Sequence, residues 1–143
     1  MDQGLKGAGV ALAPSRLVAF GRLIARRLLL RAGVAAVLEV PGRRTGKATS
    51  VTLGAWEIDG SIYLMSQYGV TDWVRNLRAA GRGNLVHAGR RRAFKAVEVD
   101  GDERDRVIAA FRAKADKQLS RDFDRLPNAA DHPTFRVEPL PSA

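Results

Sequence analysis

The dipeptide Asp59-Gly60 lies between two short runs rich in β-branched and apolar residues, 50–58 and 62–66. A two-residue hairpin turn needs positive φ at its central positions, which Asp and Gly tolerate, and its twist matches that of paired strands. An antiparallel hairpin is therefore expected in the middle of the chain. Residues 34–40 read as a preceding strand that Pro41-Gly42 breaks. Residues 84–88 and 93–99 read as two further strands joined through Gly89-Arg90-Arg91, and Phe135-Arg136-Val137 as a last strand before Pro139. Strands joined by such short connections pair antiparallel, because parallel pairs need a crossover of about a dozen residues or more.

Helices punctuate this series. Residues 72–80 have Thr71 as a candidate N-cap and Gly81 as a C′ glycine. Asp102 is placed to cap a helix running to about Lys114, with Asp105 near its third position. Residues 115–133 are polar and weakly periodic, and read as helix followed by a mobile loop. Residues 15–32, from Ser15 to the stop at Gly33, read as an N-terminal helix whose Arg16, Arg22, Arg26, Arg27 and Arg31 fall on about half of the wheel. The fold class that follows is α+β: five or six antiparallel strands closed into a small barrel with helices outside it. Residues 1–33 are read as lead-in and basic helix, and 34–143 as the barrel, within a single globular domain.

The chain has 143 residues, no cysteine and a net charge of +9. Disulfides and thiolate metal sites are thereby excluded, and the compartment reads as intracellular, hence cytoplasmic. No apolar run approaches the roughly 18 residues of a membrane span. The charge favours anionic partners: nucleic acid, an anionic membrane surface or a phosphorylated cofactor. For residues 16–31 both a peripheral membrane contact and a packed helix with a basic outer face are open. Nucleic acid is set aside, since aromatics make up 6% of the chain and do not interleave with Arg90-Arg91-Arg92.

The densest chemical signal is Gly42-Arg43-Arg44-Thr45-Gly46-Lys47, continued by Thr49 and Ser50. Glycines let the backbone turn and expose amides, which form an anion-binding concavity. Arginine forks match phosphate oxygens, and the hydroxyls add donors. Taken alone, such a loop reads as a solvated basic turn. The second signal, Ser66-Gln67-Tyr68-Gly69 followed by Trp73, Asn76, Leu77 and Arg78, runs from a strand end into a helix N-terminus. That location favours anions through free amides and the helix dipole. Tyr68 and Trp73 could wall a planar ring, or Trp73 could instead belong to the buried face of the helix.

Together the two segments resemble the deazaflavin-dependent nitroreductase family, a branch of the FMN-binding split β-barrel proteins. Gly42-Arg43-Arg44-Thr45-Gly46 matches its basic loop, and Ser66, Trp73, Asn76, Leu77, Arg78 and Ala79 match its serine loop and helix. His132-Pro133-Thr134-Phe135-Arg136 resembles the ending of one sub-branch, and the likeness runs over about residues 34–137. The resemblance implies a split barrel binding coenzyme F420, a deazaflavin whose tail carries phosphate and glutamates, with FMN as the alternative. It implies a hydride passed to a quinone, nitroaromatic or other unsaturated small-molecule acceptor, and a homodimer. A ligand-binding protein of the same fold without turnover is the competing expectation. The cofactor contacts expected are Arg43, Arg44, Thr45, Gly46, Lys47, Thr49, Ser50, Thr52, Ser66, Gln67, Tyr68, Gly69, Trp73 and Asn76. Thr49 and Thr52 depart from the family, where many members have a basic residue and a proline, and Lys47 is placed to compensate for Thr49. Tyr68 or water is the expected proton donor, whereas His87, read as mid-strand, and His132, read as part of a turn, are expected outside the chemistry. No metal site is expected.

Overall fold

In the computed structural model, which describes residues 35–141, Asp59 at φ 52° and Gly60 at φ 83° turn the chain between β2 (Ala48–Ile58) and β3 (Ser61–Met65). The hairpin closes with Ile58 opposite Ser61, as the Asp-Gly signal required. The helix expected over 15–32 lies outside the described residues. β1 (Ala35–Pro41) precedes the hairpin, and α1 (Asp72–Ala80), β4 (Arg82–His87), β5 (Arg90–Val99), α2 (Gly101–Lys114), α3 (Lys117–Asp124), a 3-10 turn (Ala129–Asp131) and β6 (Thr134–Pro139) follow it. The strands form a closed barrel in the order β1-β2-β3-β6-β5-β4, with every neighbouring pair antiparallel.

Three details differ from the sequence expectation. The β4–β5 turn is Ala88-Gly89, at φ 51° and 78°, so Arg90, Arg91 and Arg92 are strand residues opposite His87, Val86 and Leu85. A left-handed alanine costs roughly 1–2 kcal/mol and is no recognised turn former, so the turn lies one residue earlier than its sequence suggested. The pairing also puts His87 at the end of β4 rather than in mid-strand. Asp100, not Asp102, is the N-cap residue of α2. Residues 115–133 hold a further helix and a 3-10 turn: the Asp116 carboxylate accepts from the Leu119 amide at 2.8 Å to start α3, and the 3-10 turn leads into a fully buried His132.

Alternation along the strands divides the apolar residues into two cores. Leu38, Val51, Leu53, Leu64, Leu85, Phe94 and Phe135 fill the barrel, and Trp73, Val74 and Leu77 of α1 plug it. Outside the wall, Tyr63 and Met65 of β3 pack with Val107, Ile108 and Phe111 of α2 and Phe123 of α3. Val107 and Phe111 are four apart and so share a helix face. Each large apolar side chain fully buried in this way contributes about 1.5–3 kcal/mol. α1 begins at an extended Thr71 and ends on Gly81 at φ 71°, whose amide donates to the Leu77 carbonyl at 2.7 Å. That C′ glycine ends the helix at the mouth of the barrel, and β4 starts at once. Among the described residues no helix is long and apolar enough to cross a membrane, and no group of side chains has the makings of a metal site.

Candidate functional site

The loop between β1 and β2 is closed on itself. The Gly42 amide donates to the Lys47 carbonyl at 2.7 Å, the Gly46 amide donates to the Gly42 carbonyl at 2.8 Å, and the Lys47 amide donates to Thr45 Oγ1 at 3.2 Å. Gly46 adopts φ 74°, the left-handed conformation that glycine takes without a Cβ penalty. The loop also leans on α1. The Arg43 amide and Nη1 both donate to Asn76 Oδ1, at 3.1 and 2.8 Å, and Nη2 reaches Asp72 Oδ1 at 3.3 Å.

Between the loop and the start of α1 lies a cleft of about 730 Å³. Residues 42–45 form one wall, Ala48, Thr49, Ser50 and Val51 of β2 the floor, and Thr71, Asp72, Trp73 and Asn76 the other wall. Of the residues expected at a cofactor site, the structure therefore gathers Arg43, Arg44, Thr45, Thr49, Ser50, Trp73 and Asn76 around one space. The Thr49 hydroxyl is already committed, donating to the Val40 carbonyl at 2.7 Å. Trp73 is 4% exposed and sits 5.9 Å from the Phe135 ring, so it belongs both to the buried face of α1 and to the cleft wall.

The other expected contacts lie elsewhere. Gly46 lines a second cleft, of about 540 Å³, on the opposite flank of the loop, where Arg91 pairs with Glu39 at 2.6 Å. Lys47 lines neither cleft. Thr52 is buried in β2 beyond the cleft floor. Ser66, Gln67, Tyr68 and Gly69 are absent from the cleft wall and build the approach to α1 instead. Ser66 Oγ donates to the Gly69 carbonyl at 2.5 Å, and the Thr71 amide donates to the same carbonyl at 3.1 Å. The Tyr68 hydroxyl donates to Asp122 Oδ2 at 3.1 Å, and Gln118 Nε2 holds the other oxygen of that buried carboxylate at 3.0 Å. His132 ties this loop to the C-terminal segment: Nδ1 is 2.9 Å from the Ser66 carbonyl, Nε2 is 2.6 Å from the Leu126 carbonyl, and the ring stacks on Phe123 at 3.7 Å. It is a fully buried bracket rather than a turn histidine.

Sequence reasoning overlooked Thr71 and Asp72 as members of the cleft. Thr71 caps no amide with its side chain, and its Oγ1 is buried in the cleft wall without a hydrogen-bond partner among the described residues. A buried hydroxyl in this state costs free energy unless a ligand engages it. With the first amides of α1 and Arg44 opposite, it completes a donor set that suits an anionic group beside a planar one. The residues present thus fit a phosphate-bearing ring coenzyme.

Comparisons with known proteins agree with this geometry. The family model described as F420H2-dependent quinone reductase matches residues 21–124. No curated protein matches the sequence. Among solved structures, an F420-H2 dependent reductase (FDR-A) superposes with a TM-score of 0.56 at 22% identity, covering 73% of this chain and 94% of its own. A FAD-binding protein from Mesorhizobium loti gives 0.53 at 18% identity over 82% and 89% of the two chains, and a heme storage protein from Vibrio cholerae gives 0.58 at 12% identity over 85% and 90%. At such identities these likenesses establish the fold, the split β-barrel expected from the sequence. The family match spans the basic loop, the floor of the cleft and all of α1, and on that ground the chain belongs to the F420H2-dependent quinone reductase family.

Proposed function

We propose that this protein reduces a quinone, nitroaromatic or other unsaturated small molecule at the cleft between the β1–β2 loop and α1, using coenzyme F420. The observation that carries the reading is the convergence of Arg44, Thr71 and Trp73 on one cleft inside the segment that matches the family. When bound, the reduced deazaflavin supplies the hydride. The chain's own part is positional: the loop and the amides at the start of α1 bind the phosphate, and Val51 and Trp73 bound the space for the ring. A coenzyme held there would meet the acceptor within one complex rather than as a second solute. The Tyr68 hydroxyl is engaged by Asp122, so in this reading the proton comes from water.

Two further elements belong to the proposal. Contact of residues 16–31 with an anionic membrane rests on the arginine pattern, and flotation with anionic vesicles before and after deletion of residues 1–31 tests it. Self-association into a homodimer is supported by a solved structure described as a domain-swapped dimer, similar at 19% identity with a TM-score of 0.56, and light scattering tests it. The enzymatic reading itself is tested by following oxidation of reduced F420 in the presence of a soluble quinone. Protein-dependent oxidation that needs the quinone is expected; coenzyme binding without turnover across a panel of quinones and nitroaromatics would overturn it in favour of a carrier role.

A further inference from the structure

The two adjacent arginines of the β1–β2 loop look equivalent in the sequence, and the structure treats them differently. Arg43 spends its backbone amide and Nη1 on one acceptor, Asn76 Oδ1, and its Nη2 on Asp72. Asn76 is 7% exposed, so the clamp is anchored in the protein rather than in solvent. The Asp72 carboxylate beside Arg43 also offsets its charge, which makes this guanidinium a poor grip for a second anion. Arg44 differs on each point. Among the described residues neither its guanidinium nor its amide is engaged, and the amide of Thr45 is likewise uncommitted. Both residues line the cleft. Two successive free amides with a guanidinium beside them form a concavity for a phosphate.

We propose that Arg43 and Asn76 are positioning residues, clamped together so that the loop presents Arg44 and the Arg44 and Thr45 amides to the phosphate of the coenzyme. The inference rests on the cofactor reading above and divides the labour within it. Arg43 and Asn76 act as one unit and do not touch the phosphate, while Arg44 does.

The test compares two ligands, coenzyme F420 and the deazaflavin chromophore lacking its phosphate tail, by fluorescence titration. Arg44→Ala should weaken F420 binding about tenfold or more, the cost of one charge-assisted hydrogen bond. Arg43→Ala and Asn76→Ala should each weaken F420 by a similar factor. The double variant should be no worse than either single one, because partners in one contact are not additive. Binding of the phosphate-free chromophore should change less than about twofold in all of them, taking the usual tolerance of independent sites as the limit. A merely structural loss would weaken both ligands alike and would overturn the proposal. So would additive effects of Arg43→Ala and Asn76→Ala, which would make Arg43 a contact in its own right. Should Asn76→Ala fail to fold, Asn76→Ser takes its place in the comparison with Arg43→Ala, since it too removes the Oδ1 that accepts both Arg43 bonds. Failure of the wild-type protein to bind either ligand would instead overturn the cofactor reading; wild-type binding of both with equal affinity would spare that reading and sink this one.

Discussion

Glu103 shows how single residues hold this barrel to its helices. At the first turn of α2 its carboxylate accepts from the Tyr63 hydroxyl at 2.7 Å and pairs with Arg136 of β6, which also holds Glu138 at 3.1 Å. The Arg136 bond, then the Tyr63 bond, keep the Glu103 carboxyl below the usual glutamate range, and Arg136 is correspondingly raised. Burial, then the Glu103 bond, push the Tyr63 phenol up. A carboxyl lowered on folding contributes stability that is fully present above its unfolded pKa, about 4.3, and is lost as pH falls through its folded value. Glu103→Gln should therefore lower stability by about 1 kcal/mol at neutral pH, a charged hydrogen bond discounted for partial exposure. It should also flatten the acid limb of the stability curve below about pH 4. Urea unfolding at pH 7 and pH 3.5 checks both, and equal losses at the two pH values would contradict the assignment. None of this was legible in the sequence, because the partners come from β3, α2 and β6 and meet only once the barrel closes. The same holds for Asn76, whose place in a motif was visible while its two bonds to Arg43 were not.

The elements were legible where the backbone carries its own chemical mark. Asp59-Gly60 and Gly81 are such marks, and the hairpin and the end of α1 fall where they were expected. Ala88 carries none, and the β4–β5 turn was accordingly misplaced by one residue. That misfit has a consequence for stability. Replacing Ala88 by glycine removes the left-handed strain of roughly 1–2 kcal/mol and gives back part of it as unfolded-state entropy of about 0.4–1 kcal/mol. Ala88→Gly should leave the fold unchanged and stabilise it by about 0.5–1 kcal/mol, a melting temperature a few degrees higher by calorimetry. A lower melting temperature would mean that the turn is not strained. The segment Ser66–Gly69 fared differently: its motif was recognised, but the Ser66 hydroxyl turns to the Gly69 carbonyl and the Tyr68 hydroxyl to Asp122. Motif position in the chain did not reveal which way the loop faces.

At the scale of the molecule, the closed antiparallel barrel followed from short connections, whereas the pairing of strands that closes it did not. The seam between β1 and β4 joins strands more than 40 positions apart, with Ala36 opposite His87 and Glu39 opposite Asn84. There Gly83 brings the backbones so close that a Cβ would stand 2.6 Å from the Glu39 carbonyl oxygen. Backbone cannot yield as a side-chain tip can, so Gly83→Ala should cost about 2–3 kcal/mol, the upper range for overpacking. Denaturant unfolding with an unchanged m-value and a lower midpoint would agree; a neutral effect would show that the seam is loose. The closed barrel also sets the two ends of β1 apart. The basic loop follows Pro41 at one end, while Arg90 lies opposite His87, itself opposite Ala36, at the other, roughly 17 Å away at about 3.3 Å per residue. The central claim is that the coenzyme binds at the loop end and not through general positive charge. Its most direct test is one titration of F420 fluorescence with the wild-type protein, Arg44→Glu and Arg90→Glu at equal ionic strength. Saturable one-to-one binding by the wild type is expected, retained within about twofold in Arg90→Glu and weakened at least a hundredfold in Arg44→Glu, about 2.7 kcal/mol for a charge reversed at a contact. Equal weakening by the two reversals, or no binding by the wild type, would contradict the account.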